Sequence, residues 1–92
     1  KSETIHYKVQ SAINEWDISN KQAGLWLNTT EDYNTLYQSE KTLFNAGESS
    51  LFMVNSREKS LIEAQLKLAD TLIKNQKAAL KTKYALGIVI ED

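Results

Sequence analysis

The sequence contains no cysteine and no proline, and it has glycine at only three of its 92 positions. The missing cysteine excludes disulfide bonds, zinc–thiolate sites and thiol chemistry. Turns in all-β and α/β domains draw heavily on glycine and proline, so their scarcity predicts few turns and long helices. Eleven basic residues against twelve acidic ones give a formal charge of −1, which predicts no attraction to nucleic acid. Unbroken apolar runs stay far below the roughly 20 residues that cross a bilayer.

Gly47 lies near the middle of the chain and is predicted to end the first of two helices. Glycine readily adopts the left-handed backbone conformation that terminates a helix. Ser49 and Ser50 follow it, and serine is a preferred N-cap for the next helix. Gly87 is predicted to be the second helix stop. The predicted elements are a helix over 1–46, a turn over 47–50, a helix over 50–86 and a tail over 87–92.

The first predicted helix repeats apolar and small residues every seven positions, which is the spacing of one coiled-coil face. Asn28 followed by Glu31 resembles a capping box, which would start a new helix there. Two arrangements stay open: one continuous helix, or a break near 28–30 that gives three helices. The repeat keeps its phase across this polar stretch, which favours the continuous helix. The repeating residues are Val9, Trp16, Ala23, Thr30, Tyr37 and Phe44.

The second predicted helix carries two adjoining apolar seams. A two-stranded coiled coil needs only one, so the second seam predicts a helix that packs against neighbours on more than one side. Forty helical residues extend about 60 Å, and a hairpin of that length leaves much apolar surface uncovered. We therefore expect a piece of something larger, or an oligomer. The first seam runs through Val54, Leu61 and Leu68 and continues through Leu72, Ala79 and Leu86. The second runs through Phe52, Leu66, Ile73 and Leu80.

The residues around the turn form a specific string. They read Glu40-Lys-Thr-Leu-Phe-Asn-Ala-Gly-Glu-Ser-Ser-Leu-Phe-Met-Val-Asn-Ser-Arg-Glu58, followed by Leu61-Ile-Glu-Ala-Gln-Leu66 and, later, Tyr84-Ala-Leu-Gly87. The string contains, in this order, an aromatic residue before an Ala-Gly turn, a serine-containing step, an apolar run, a polar patch and a Leu-x-x-Ala-Gln helix. This order resembles the outer membrane efflux protein family, the TolC-like channels of Gram-negative bacteria. The resemblance covers roughly residues 31–87.

The resemblance implies an all-α fold, a long antiparallel coiled-coil-like helical hairpin that is a fragment of a periplasmic α-barrel. It implies a homotrimeric parent in the outer membrane, with this segment in the periplasm as the conduit wall for exported solutes. The parent's partners would be a periplasmic adaptor (membrane fusion) protein, which docks at the turn, and an inner-membrane pump. The implied docking residues are Ala46, Gly47, Glu48, Ser49, Ser50 and Leu51.

No catalytic, metal or cofactor site is predicted. His6 is the only histidine and has no ligand cluster around it, so we expect neither a metal site nor enzymatic activity. Arg57, Glu58 and Lys59 are predicted to form a solvated helix turn. Aromatic residues on or beside the first helix's seams predict packing rather than base stacking. These are Trp16, Trp26, Tyr33, Tyr37 and Phe44. In principle a lumen-facing acidic ring could use Glu58, Glu63 or Asp70.

Two other functions stay open. The chain also resembles the heptad-patterned periplasmic hairpin of membrane fusion adaptor proteins. Hairpins of that family carry an Arg-Leu-containing tip and are usually flanked by lipoyl-type β segments. Neither feature occurs in this sequence. A free-standing three-helix module that binds a partner protein would require the break near Asn28.

Overall fold

A computed structural model describes the backbone of residues 2–91 and the side chains of residues 3–87. It contains two helices, α1 over Ser2–Asn45 and α2 over Leu51–Glu91, and the described part of the chain has no strand. The two helices run antiparallel, which confirms the predicted all-α helical hairpin. The chain divides into two compact units. We call Gly24–Ala69 the turn unit, and Lys1–Ala23 together with Asp70–Asp92 the terminal unit.

Helix α1 is helical through residues 28–32, so the capping-box pattern there does not start a new helix. Trp26, Thr30 and Tyr33 are all half-buried, because spacings of four and three place them on one helix face. A break at Asn28 would move Trp26 and Tyr33 off a common face. The packing of two aromatic residues therefore outweighs one local capping signal.

The seam of α2 that faces α1 is built largely from small and hydroxylated residues. In the turn unit it includes Leu61 and Ala64, which are 7% and 1% exposed. In the terminal unit it includes Thr71, Ala78 and Thr82, which are 7%, 9% and 1% exposed. With the half-buried Leu68 and Asn75 included, successive members are three or four residues apart, as knobs-into-holes packing requires. Of the predicted first seam, Val54, Leu61 and Leu68 lie in this pattern, whereas its continuation through Leu72 and Leu86 was wrong, because these side chains are 49% and 42% exposed.

Helix α2 continues through Gly87 to Glu91, so the predicted stop at Gly87 is not where the helix ends. Among the described residues, only Gly47 has a positive φ. A glycine that keeps helical dihedrals leaves the ladder of backbone hydrogen bonds intact. Its cost relative to alanine, about 1 kcal/mol, is too small to terminate a helix by itself.

Polar contacts fix the pairing of the helices in the terminal unit. Thr82 Oγ1 lies 3.1 Å from the Ala12 carbonyl oxygen on the opposite helix. Asn75 Nδ2 donates to Ser19 Oγ at 2.9 Å, which adds a second specific pair across the seam. Because a shift of register would break both of these contacts between the helices, they favour one alignment.

Candidate functional site

The connection between the helices ends α1 with a left-handed glycine. Gly47 has a φ of 78°, and its N–H donates to the Phe44 carbonyl oxygen at 3.0 Å. The Glu48 N–H donates to the Leu43 carbonyl oxygen at 2.8 Å. These two bonds form a Schellman motif, which satisfies carbonyl groups at the end of the helix. A Cβ at residue 47 would meet nothing within 4 Å, so glycine is required here for its dihedral angles alone.

Ser50 is the N-cap of α2. The Met53 N–H donates to Ser50 Oγ at 3.2 Å, and the Val54 N–H donates to the Ser50 carbonyl oxygen at 3.1 Å. The first bond satisfies one of the amide groups that lack a partner at the start of a helix. The sequence left the cap open between Ser49 and Ser50, and the geometry selects Ser50. Ser49 has a different partner on α1.

That partner is Glu40, whose carboxylate joins the two helices and the turn. Ser49 Oγ donates to Glu40 Oε2 at 2.5 Å, and Arg57 Nε donates to Glu40 Oε1 at 3.2 Å. Glu40 is 8% exposed, which is rare for a carboxylate unless it is paired. The hydrogen bond from Ser49, and then that from Arg57, lower the pKa of Glu40 from its ordinary value. We call Glu40, Ser49 and Arg57 the Glu40 cluster.

A second polar link joins the helices beside the cluster. The Tyr37 hydroxyl donates to Glu58 Oε2 at 2.8 Å, and this bond raises the pKa of the tyrosine. Lys41 Nζ lies 4.5 Å from the centre of the Tyr37 ring, within reach of a cation–π interaction. The sequence predicted a solvated helix turn at Arg57 and Glu58. Glu58 and Lys59 are exposed as predicted, whereas Arg57 is half-buried. Both Arg57 and Glu58 make hydrogen bonds to α1, which the sequence did not predict.

The connection projects apolar side chains into solvent on the α2 side. Leu51 is 59% exposed and Phe52 is 77% exposed. On the α1 side, Leu43 and Phe44 are each 41% exposed. Of the residues predicted to dock an adaptor, Ser49 is half-buried and the other five are exposed; these are Ala46, Gly47, Glu48, Ser50 and Leu51. The turn therefore offers a hydrogen-bonded backbone with accessible apolar side chains on either side.

The second predicted seam of α2 faces away from α1. We call its residues, together with Ile62, the outer face of α2. In the turn unit, Phe52, Ile62 and Leu66 are 77%, 47% and 66% exposed. In the terminal unit, Ile73 and Leu80 are 52% and 65% exposed. These residues lie on the side of α2 opposite the buried seam, so their exposure follows from the heptad register.

The remaining predicted residues lie on the surface or in the seam. His6 is exposed beside Glu3 and Gln10, and among the described side chains no group of three or more is placed to hold a metal ion. Asp70 pairs with Lys74 at 3.1 Å. The aromatic residues Trp16, Trp26, Tyr33 and Tyr37 are half-buried, and Phe44 is exposed.

Over the described residues, neither helix is long and apolar enough to cross a membrane. Comparisons with protein-family models, with curated proteins and with solved structures find no match for this chain.

Proposed function

We propose that the chain is a wall element of a helical conduit. In this function the hairpin packs the outer face of α2 against neighbouring helices and presents its turn to a partner protein. The observation that carries the proposal is the exposure of five large apolar side chains on α2, four of them separated by multiples of seven residues. Monomeric soluble proteins scatter single apolar residues over their surface, whereas large exposed apolar side chains repeated along one side of a helix indicate an interaction surface. The residues are Phe52, Ile62, Leu66, Ile73 and Leu80.

The solvent-accessible surface area of the chain is larger than that of a typical folded monomer of its mass, as expected if a partner normally covers part of it. The chain exposes 6996 Å². The scaling of surface with mass gives about 5,400 Å² for a folded monomer of this size. The difference of about 1,600 Å² on this one chain is about twice the roughly 800 Å² that each partner contributes to a standard protein–protein interface. Each large apolar side chain moved fully from water into an interface contributes about 1.5–3 kcal/mol, so the outer face offers a substantial driving force for association.

The sequence resemblance to TolC-like channels gives this packing a specific context. In that context the parent protein is a homotrimer of the outer membrane, and this segment belongs to its periplasmic α-barrel. The conduit conducts solutes passively, and an inner-membrane pump supplies the energy through a periplasmic adaptor. The adaptor docks at residues 46–51, which the Schellman motif and the Ser50 cap hold in place.

A membrane fusion adaptor hairpin is the second candidate, because it also needs an apolar outer face on a two-helix segment. A free-standing three-helix module loses its main support, because α1 is helical where that module requires a break. A catalytic function has no motif in its favour, and the absence of enzymatic activity stays a prediction.

Cysteine accessibility tests the wall function, since the chain has no cysteine of its own. Ile73→Cys places a thiol on the outer face, and Lys74→Cys places a matched thiol on the neighbouring polar face. We expect both to react readily with a maleimide in the dilute purified chain. The same two substitutions are then made in the native protein in intact cells. There the thiol of Ile73→Cys should be protected from the maleimide, and that of Lys74→Cys should still react. Equal labelling of Ile73→Cys in both settings would contradict the proposal.

A further inference from the structure

The Glu40 cluster connects three parts of the turn unit through one carboxylate. Glu40 lies in α1, Ser49 lies in the connection and Arg57 lies in the second turn of α2. Each carboxylate oxygen accepts one hydrogen bond, at 2.5 Å from Ser49 and 3.2 Å from Arg57. Gly47 and Ser50 fix the two ends of the connection through backbone and capping bonds. Ser49 is the connection residue that Glu40 holds directly.

We propose that Glu40 is an acid-releasable latch, which holds the connection in one conformation while its carboxylate is ionised and frees Ser49 when it is protonated. The latch is a property of this chain alone. Its consequence, that acid would change how residues 46–51 are presented to a partner, rests on the proposed function.

Protonation acts on the two bonds for a simple chemical reason. An ionised carboxylate is an acceptor at both oxygens, and hydrogen bonds to it are about twice as strong as those between neutral groups. A protonated carboxyl keeps one good acceptor and loses the charge that attracts Arg57. The pKa of Glu40 lies below its ordinary value of 4.5. The latch is therefore closed above this ordinary value and opens as the pH falls through the lowered pKa of the folded protein.

Other charged groups lie close to the cluster and must be separated from it. They are Lys41 on α1, Glu48 in the connection and Glu58 on α2, which accepts the hydrogen bond from Tyr37. Glu58 is the group to test against Glu40 because it also joins α2 to α1. Glu58→Gln removes its charge and keeps an oxygen that can accept from Tyr37.

Amide exchange in the connection tests the latch. The Gly47 and Glu48 amides form the Schellman motif, so their protection factors report its integrity without any partner protein. On lowering the pH from neutral through the lowered pKa, we expect their protection to fall about fivefold or more, as the charge-assisted bonds are lost. Amides near Leu61 in the same unit should keep their protection, which separates release of the latch from unfolding.

Variants decide whether Glu40 is the titrating group. Glu40→Gln should show the low protection at every pH, and Glu58→Gln should behave like the natural chain. If Glu40→Gln does not fold, Ser49→Ala provides the same test, because it removes only the hydroxyl that the latch holds. Protection that does not change with pH in the natural chain would overturn the proposal. So would an unchanged pH response in Ser49→Ala or Glu40→Gln.

Discussion

Two leucines of the turn unit differ in burial and are otherwise matched, and this difference gives a quantitative prediction. Leu61 is 7% exposed in the seam against α1, whereas Leu66 is 66% exposed on the outer face of α2. Both lie in the interior of the same helix, so a change from leucine to alanine alters helix propensity equally in each. The difference between Leu61→Ala and Leu66→Ala therefore isolates packing between the two helices.

The expected magnitudes follow from burial. Truncating a buried leucine costs about 2–5 kcal/mol, and a two-helix seam can relax around the missing atoms, so we expect about 2–3 kcal/mol for Leu61→Ala. Leu66→Ala removes a side chain that is already largely hydrated, so we expect less than about 0.5 kcal/mol.

Urea unfolding followed by circular dichroism at high dilution measures both variants. A loss of about 2 kcal/mol lowers the urea midpoint by roughly 1–2 M for a chain of this size. Leu66→Ala should leave the midpoint close to that of the natural chain. Equal losses in the two variants, under dilution where the chain is monomeric, would refute the assignment of Leu61 to the seam and of Leu66 to the outer face.

Two further predictions concern backbone strain and a buried hydroxyl. Gly47→Ala should destabilise by about 1–2 kcal/mol, since its φ of 78° strains any residue with a Cβ. Gly24→Ala, the helical control with nothing within 4 Å of the added Cβ, should stabilise by about 1 kcal/mol in the same thermal-melting assay. Reversed signs would contradict the turn geometry. Thr82→Val keeps the volume of a side chain that is 1% exposed and removes only its hydrogen bonds. It should cost about 1 kcal/mol, and a loss above about 3 kcal/mol would show that the hydroxyl has a larger role.

Much of the fold could be predicted because the heptad repeat is a property of the chain itself. Val9, Trp16 and Ala23 recur at spacing seven, and the repeat continues in phase through Thr30 to Tyr37. The α2 seam was only half predictable. Its other positions include Ala64 and Thr82, and a search for large apolar residues does not find small or hydroxylated ones. The outer face was found as a seam, but apolar periodicity does not reveal which partner a face packs against.

The Glu40 cluster was not predicted, although a signal for it was present. Glu40 and Arg57 both fall at positions where the heptad register places seam residues. Opposite charges in facing seam positions of an antiparallel hairpin predict an ion pair once the register is known. The register depends on the length of the turn, and a shift of one position would separate the two side chains. Ser49 could not be assigned for a similar reason, because it competes with Ser50 for the helix cap until the connection has a definite geometry.

Sedimentation equilibrium over a dilution series tests the central claim, that the outer face of α2 is a packing surface without its partner. The account predicts a mass that rises above the 10.5 kDa of one chain as the concentration increases. The double variant Leu66→Lys/Ile73→Lys should stay at the monomer mass. The matched variant Asn28→Lys/Asn34→Lys, which adds two charges at exposed positions of α1, should associate as the natural chain does. A natural chain that remains at 10.5 kDa across the whole series would contradict the account.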